Sequence, residues 1–138
     1  MVSASLPLSR RSRGQAAAEL AILLPLLALM MAGVVDIARG FHARINLTNA
    51  VREGARYGAG APTDATGIRQ AVISELAGTS LKDLSSDAIS ISTPNGTDAR
   101  NPLTVSATAS FGTFLGSFLG IQSMPLRAQA TMMIVPGT

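Results

Sequence analysis

A glutamate stands five residues after a glycine at the mouth of an apolar run: Gly14-Gln15-Ala16-Ala17-Ala18-Glu19, then Leu20 to Val35 without a charge. A carboxylate at the head of a membrane-length segment is costly in hydrocarbon and calls for a partner. Two kinds of chemistry would make it tolerable. In the first, Glu19 stays among lipid headgroups, where the positive end of the helix dipole favours it. In the second, the peptide bond after Gly14 is cut and Gln15 becomes the new N-terminus. Glu19, now the fifth residue and one helical turn away, then neutralises the liberated α-amino group of its own chain or of a neighbour. The glycine at this spacing and the basic leader Arg10-Arg11-Ser12-Arg13 favour the second reading.

No other group of residues has the pattern of a reactive site. His42 is the sole histidine and there is no cysteine to share a metal with it, so it reads as a structural or solvated side chain. The serines lack a Gly-x-Ser-x-Gly elbow, and a triad would have to recruit His42 from beside a membrane. No phosphate-cradling Gly-x-x-x-x-Gly-Lys loop and no acidic calcium loop occurs, and Gly54, Gly58 and Gly60 follow no strand, as a dinucleotide fingerprint requires. The expectation is a protein without enzymatic activity, cofactor or metal.

Charge and composition point to the bilayer. Arg10, Arg11 and Arg13 account for the net charge of +3, since the remainder carries eight basic and eight acidic residues. A basic start ahead of an apolar run is a topology signal that retains the N-terminus in the cytoplasm. Nucleic-acid binding would instead need a basic stripe on the folded part. Aromatics make up 4% of a chain that is 47% hydrophobic, so the apolar mass is aliphatic, as on a lipid-facing helix.

The elements that must position Glu19 follow from periodicity. Leu20 to Val35 is slightly short of a spanning length, and Ala16 to Ala18 bring it into range. Pro25 within it predicts a kinked spanning helix, because a membrane helix can re-satisfy the carbonyl that proline frees. Ile37, Phe41, Ile45, Thr48 and Val51 then recur at three- and four-residue steps, an amphipathic continuation with Asp36 placed to meet Arg39 and Glu53 to meet Arg56. Gly58, Gly60 and Pro62 are its stop signals. A helix from Gln15 to Tyr57 would be on the order of 65 Å long, so its second half must leave the bilayer.

Beyond a loop over 58–66, Ile68, Val72 and Leu76 mark a short helix over 67–77, with Asp64 or Thr66 as its cap and Gly78 at its end. The period then changes to two. Strands are predicted at 88–93, 103–111 and 126–134, the first two separated by a turn at Pro94-Asn95-Gly96. Together they predict an α+β fold: a long N-terminal transmembrane and amphipathic helix, then a small head with a short helix and a three-stranded antiparallel sheet. The organisation is a leader at 1–14, a transmembrane helix at 15–36, a helical stalk at 37–60 and a head at 61–138. Between the last two strands, Phe111, Phe114, Leu115, Phe118 and Leu119 fall at helical spacing with glycines between them. Such a segment can cap the sheet or touch a membrane or a partner, and the general burial of apolar segments favours the cap.

Gly14, Gln15 and Glu19 resemble the processing site of type IV-class prepilins, in which a peptidase on the cytoplasmic face cuts after the glycine. The longer stretch Arg13 to Ala21, the Leu-rich run with Pro25, and Asn49-Ala50-Val51-Arg52-Glu53-Gly54-Ala55-Arg56-Tyr57-Gly58-Ala59 together resemble TadE-like proteins, pseudopilins of the tight-adherence (Tad/Flp) pilus machinery. The resemblance covers about the first 60 residues. It implies a single-pass protein of the bacterial inner membrane with a periplasmic or extracellular head, a minor pilin or assembly factor for adhesive fimbriae. Its implied partners are a prepilin peptidase, other pilin helices, pilus-assembly membrane proteins and the lipid bilayer. Family members commonly carry an aromatic where Leu20 stands. Arg52, Glu53, Arg56 and Tyr57 fit the pattern as the end of the stalk docking on the head. Two rivals remain open at this level: an exported soluble domain behind a cleavable signal peptide, which Arg10-Arg11 would suit and Glu19 interrupts, and a single-span membrane protein of another activity.

Overall fold

The computed structural model describes residues 11–120 and 123–135; of the basic leader, 1–10 lie outside the described residues, as do the side chains of 11–13 and 117–119. The chain runs through α1 (Arg11–Gly60), α2 (Ala65–Glu75), a single 3-10 turn (Ser86–Ala88), β1 (Ile89–Ser92), β2 (Pro102–Gly112), α3 (Phe114–Leu119) and β3 (Ser123–Met133). The three strands form an antiparallel meander in the order β1-β2-β3, with Ile89 opposite Ala107 and Leu103 opposite Met132. The predicted α+β architecture is the observed one.

α1 is one continuous helix of 50 residues that passes through Pro25 and does not stop at Gly58. It begins before Gln15, so the Gly14–Gln15 peptide bond lies inside it. The two halves of α1 have different surroundings. From Gly14 to Met31 every residue is exposed. From Ala43 onward, one face enters the core of the head: Ala43, Leu47, Ala50, Val51 and Ala55 are buried with Ile68, Val72 and Leu76 of α2 and with Leu103, Val105 and Ala107 of β2. The second half of α1 is thus the central strut of the head.

This corrects the predicted apolar stripe. Ile37 and Phe41 are 75% and 66% exposed and Ile45 is also exposed, whereas Val51 alone of that series is fully buried. The face that packs is the one rich in small residues, because α2 comes too close for a side chain. A Cβ on Gly54 would lie 2.4 Å from Val72 Cγ2 and 3.3 Å from the Ile68 carbonyl oxygen, and one on Gly58 would lie 2.9 Å from Ile68 Cδ1. Removing Cβ atoms permits this approach, and the flanking alanines and Leu47 fill the remaining space. Gly58 therefore serves packing inside the helix and is no stop signal.

α2 starts two residues earlier than predicted because Asp64 is its N-cap: its carboxylate accepts the Gly67 amide at 2.9 Å. The predicted stripe Ile68, Val72 and Leu76 is buried as expected. β2 buries alternate residues from Leu103 to Phe111 and turns Thr104, Ser106, Thr108 and Ser110 the other way. On that outer face the Thr104 and Thr131 hydroxyls share a hydrogen bond of 2.8 Å across the strands. One face of the sheet is thus covered by α1, which also packs against α2, and the other is wet.

Candidate functional site

Three groups of residues on α1 carry what functional chemistry the described residues offer. The first is the predicted processing site. Gly14 is exposed with nothing within 4 Å of the position a Cβ would take, and Gln15 Nε2 donates to Glu19 Oε1 at 3.4 Å across one helical turn. Glu19 is exposed. The site therefore holds the spacing that lets residue 19 reach a charge at residue 15, on a surface open to a partner.

The second group lies where the apolar half of α1 meets the head, and sequence reasoning found only half of it. Asp36 forms the expected ion pair with Arg39, Oδ1 to Nη1 at 3.2 Å, yet Asp36 is only 8% exposed. Its other partners come from the far end of the sequence: the backbone amides of Phe114 and Leu115 donate to Oδ1 and Oδ2 at 3.0 and 2.6 Å. Asp36 is thus a cap for α3 supplied by α1, satisfying two amides that the first turn of any helix leaves without an intrahelical acceptor. The Arg39 guanidinium lies over the rings of Phe111 and Phe114, 5.2 and 4.1 Å from their centroids. Gly33 and Gly40 face the same segment, since Cβ atoms there would be in ordinary contact at 3.6 Å with Leu115 Cδ2 and the Phe111 ring.

The segment expected to cap the sheet is therefore divided. Phe111 enters the core, whereas α3 lies against α1 and leaves Phe114 66% exposed. The physical reason is the acid on α1, which holds the first turn of α3 beside the helix and away from the sheet. The sequence signal was available in outline: Asp36 is the first charge after the apolar run, and a carboxylate in such a place needs more than one exposed arginine.

The third group is the Arg-Glu-Gly-Ala-Arg-Tyr stretch. Glu53 and Arg56 form the predicted ion pair, with Nε to Oε2 at 2.8 Å and a second contact from Nη2 to Oε1. The hydrogen bonds from Arg56 hold the Glu53 carboxyl below the usual carboxylate range and raise the Arg56 guanidinium. Tyr57 donates its hydroxyl to Asp64 Oδ2 at 2.8 Å, tying the end of α1 to the cap of α2. The Gly67 amide, and then the Tyr57 hydroxyl, lower the Asp64 pKa, while Asp64 raises that of Tyr57. A Cβ on Gly67 would lie 2.3 Å from Asp64 Oδ2 and 2.5 Å from Tyr57 Oη, so a larger residue there would displace this hydroxyl–carboxylate pair. The stretch docks helix to head, as its sequence suggested. Arg52 and His42 are exposed on α1.

Comparison with known proteins bears on the helix alone. No curated protein and no solved structure matches the chain. Residues 14–56 match a family model, that of the TadE-like proteins, and the match takes in Gly14, Glu19, the apolar run, Asp36 and the Gly54 packing face. Over residues 14–56 the chain is similar to the TadE-like proteins.

Proposed function

We propose that the chain is a membrane-anchored pseudopilin, a minor pilin or assembly factor in the biogenesis of Tad/Flp pili, processed by a prepilin peptidase after Gly14. The TadE-like match over 14–56 carries this reading. It is supported by an N-terminal helix long and apolar enough to cross a membrane and left bare by the rest of the molecule. In this scheme the basic leader stays in the cytoplasm of the bacterial cell, residues 15–36 anchor the protein in the inner membrane, and the head stands on the opposite side. Its partners are other pilin or pseudopilin helices and the assembly proteins of the same membrane.

Glu19 has the central chemical role in the proposal. Cleavage after Gly14 frees an ammonium on Gln15, and a carboxylate one turn along the helix compensates it at the edge of the hydrocarbon. Either amine can serve, its own or that of a neighbouring chain. Mass spectrometry of the protein purified from membranes of cells that contain the peptidase tests the cleavage. A mature chain beginning at Gln15 is expected; an intact leader contradicts it. Glu19→Ala should leave membrane insertion unchanged and reduce piliation severely, and normal piliation in that strain would remove the pairing role.

A further inference from the structure

We propose that α3 is a second membrane contact: it carries the head down onto the bilayer that α1 crosses and lies in the interfacial layer of the leaflet on the head's side. The inference rests on the membrane-anchored reading of α1 and adds to it a surface, formed around Phe114, that takes lipid.

The height of α3 along α1 carries the argument. Twenty residues of helix, 16–35, span about 30 Å at ~1.5 Å per residue, the thickness of a hydrocarbon core. Within 14–35 every residue is exposed except Ala32 and Gly33, which are half-buried. The residue that reaches Gly33 is Leu115, whose Cδ2 lies 3.6 Å from the position of a Gly33 Cβ. Leu115 thus reaches a level inside the charge-free run, about three residues or ~4.5 Å toward the bilayer from Asp36.

The chemistry of this end of the head suits that depth. Asp36 takes the Phe114 and Leu115 amides, so the first turn of α3 presents two fewer unpaired donors to a medium without water. Phe114 is 66% exposed and Met124, opposite Phe111 in the sheet register, is 54% exposed. Val34, Val35 and Ile37 of α1, on either side of Asp36 in sequence, are exposed apolar residues as well. No charged residue occurs between Arg100 and Arg127. Arg39 stands three residues beyond Asp36, its guanidinium 5.2 and 4.1 Å from the Phe111 and Phe114 ring centroids and its side chain 38% exposed, at a level where an arginine reaches lipid headgroups. The occupant is lipid because α3 is held against α1 where the charge-free run ends, with Leu115 at Gly33 and its first turn on Asp36, so that the exposed Phe114 stands beside the end of the spanning segment.

The chain has no tryptophan, so single tryptophans report position. Phe114→Trp, Leu26→Trp in mid-span and Ser90→Trp on the wet strand face are each reconstituted, in the full chain, into phosphatidylcholine vesicles carrying bromine near either the glycerol or the methyl end of the acyl chains. The expected result is that Phe114→Trp has blue-shifted emission, loses most of it to bromine near the glycerol end and is spared by aqueous iodide. Leu26→Trp should be quenched best by bromine near the methyl end, and Ser90→Trp by iodide alone. If Phe114→Trp behaves like Ser90→Trp while Leu26→Trp is still quenched by lipid, the contact by α3 is overturned and the anchor stands. Shielding of Phe114→Trp from both quenchers overturns it in favour of a protein neighbour. Failure of lipid to quench Leu26→Trp overturns the anchor and, with it, this inference.

Discussion

The two halves of α1 share one continuous backbone and have opposite surroundings. From Leu20 to Met31 its first half is apolar and exposed on every side, whereas its second half is charged on one side and buries the other. Several large apolar residues of the second half are not buried. Ile37, Phe41 and Ile45 point outward, while alanines, glycines, Leu47 and Val51 face the head. Helical period shows that an apolar stripe exists, and closeness of approach decides which stripe a neighbour takes.

The contrast can be broken most sharply by making one substitution in both halves. Leu47→Ala empties a fully buried site and should cost ~2–5 kcal/mol of head stability, seen as a lower Tm in detergent. Leu27→Ala, on the bare half, should leave that Tm unchanged. Equal losses at the two sites would mean that the first half also has a folded neighbour within the chain.

A smaller effect is expected from adding one carbon where α1 and α2 touch. Gly54→Ala pushes on the stiff Val72 side chain and on a backbone carbonyl, at a cost of ~1–3 kcal/mol in the same melt, despite the better helix propensity of alanine. Gly14→Ala, in open space, should not lower the Tm at all. Stabilisation by Gly54→Ala would show that the helices separate easily and that the small-residue face is incidental.

The smallest effect concerns the clamp of Tyr57 and Asp64 at the end of the buried half. The Asp64 pKa is lowered in the folded protein, so its contribution is present above the ordinary carboxylate pKa near ~3.9 and is lost as pH falls through the lowered value. The Tyr57 pKa is raised, so its contribution is full below its ordinary pKa near ~10 and is lost as pH climbs through the raised value. Tyr57→Phe should lower the Tm by a few degrees at neutral pH and flatten the alkaline limb of the Tm profile. An unchanged alkaline limb would detach the clamp from head stability.

Much of this was legible before any fold was known. The apolar run, the strand alternation, the α2 stripe and the pairs Asp36 with Arg39 and Glu53 with Arg56 all depend on residues close in sequence, where period and spacing suffice. The spacing of Gly14, Gln15 and Glu19 was equally plain, and the helix preserves it. That Asp36 needs further partners was legible in outline, but not which ones, because its donors stand 78 and 79 residues away. Nor was the packing role of Gly54 and Gly58, since a glycine near a helix end reads as a stop unless the neighbour that excludes a Cβ is known.

By itself, the sequence determined a helix long and apolar enough to cross a membrane and the strands of the head, because transfer from water and local backbone preference act on each residue where it stands. Tertiary structure alone decided which face of α1 the head grips and where α3 comes to rest. Those outcomes turn on two surfaces fitting within an ångström and on amides finding a distant acid, and neither condition is written in any stretch of neighbouring residues.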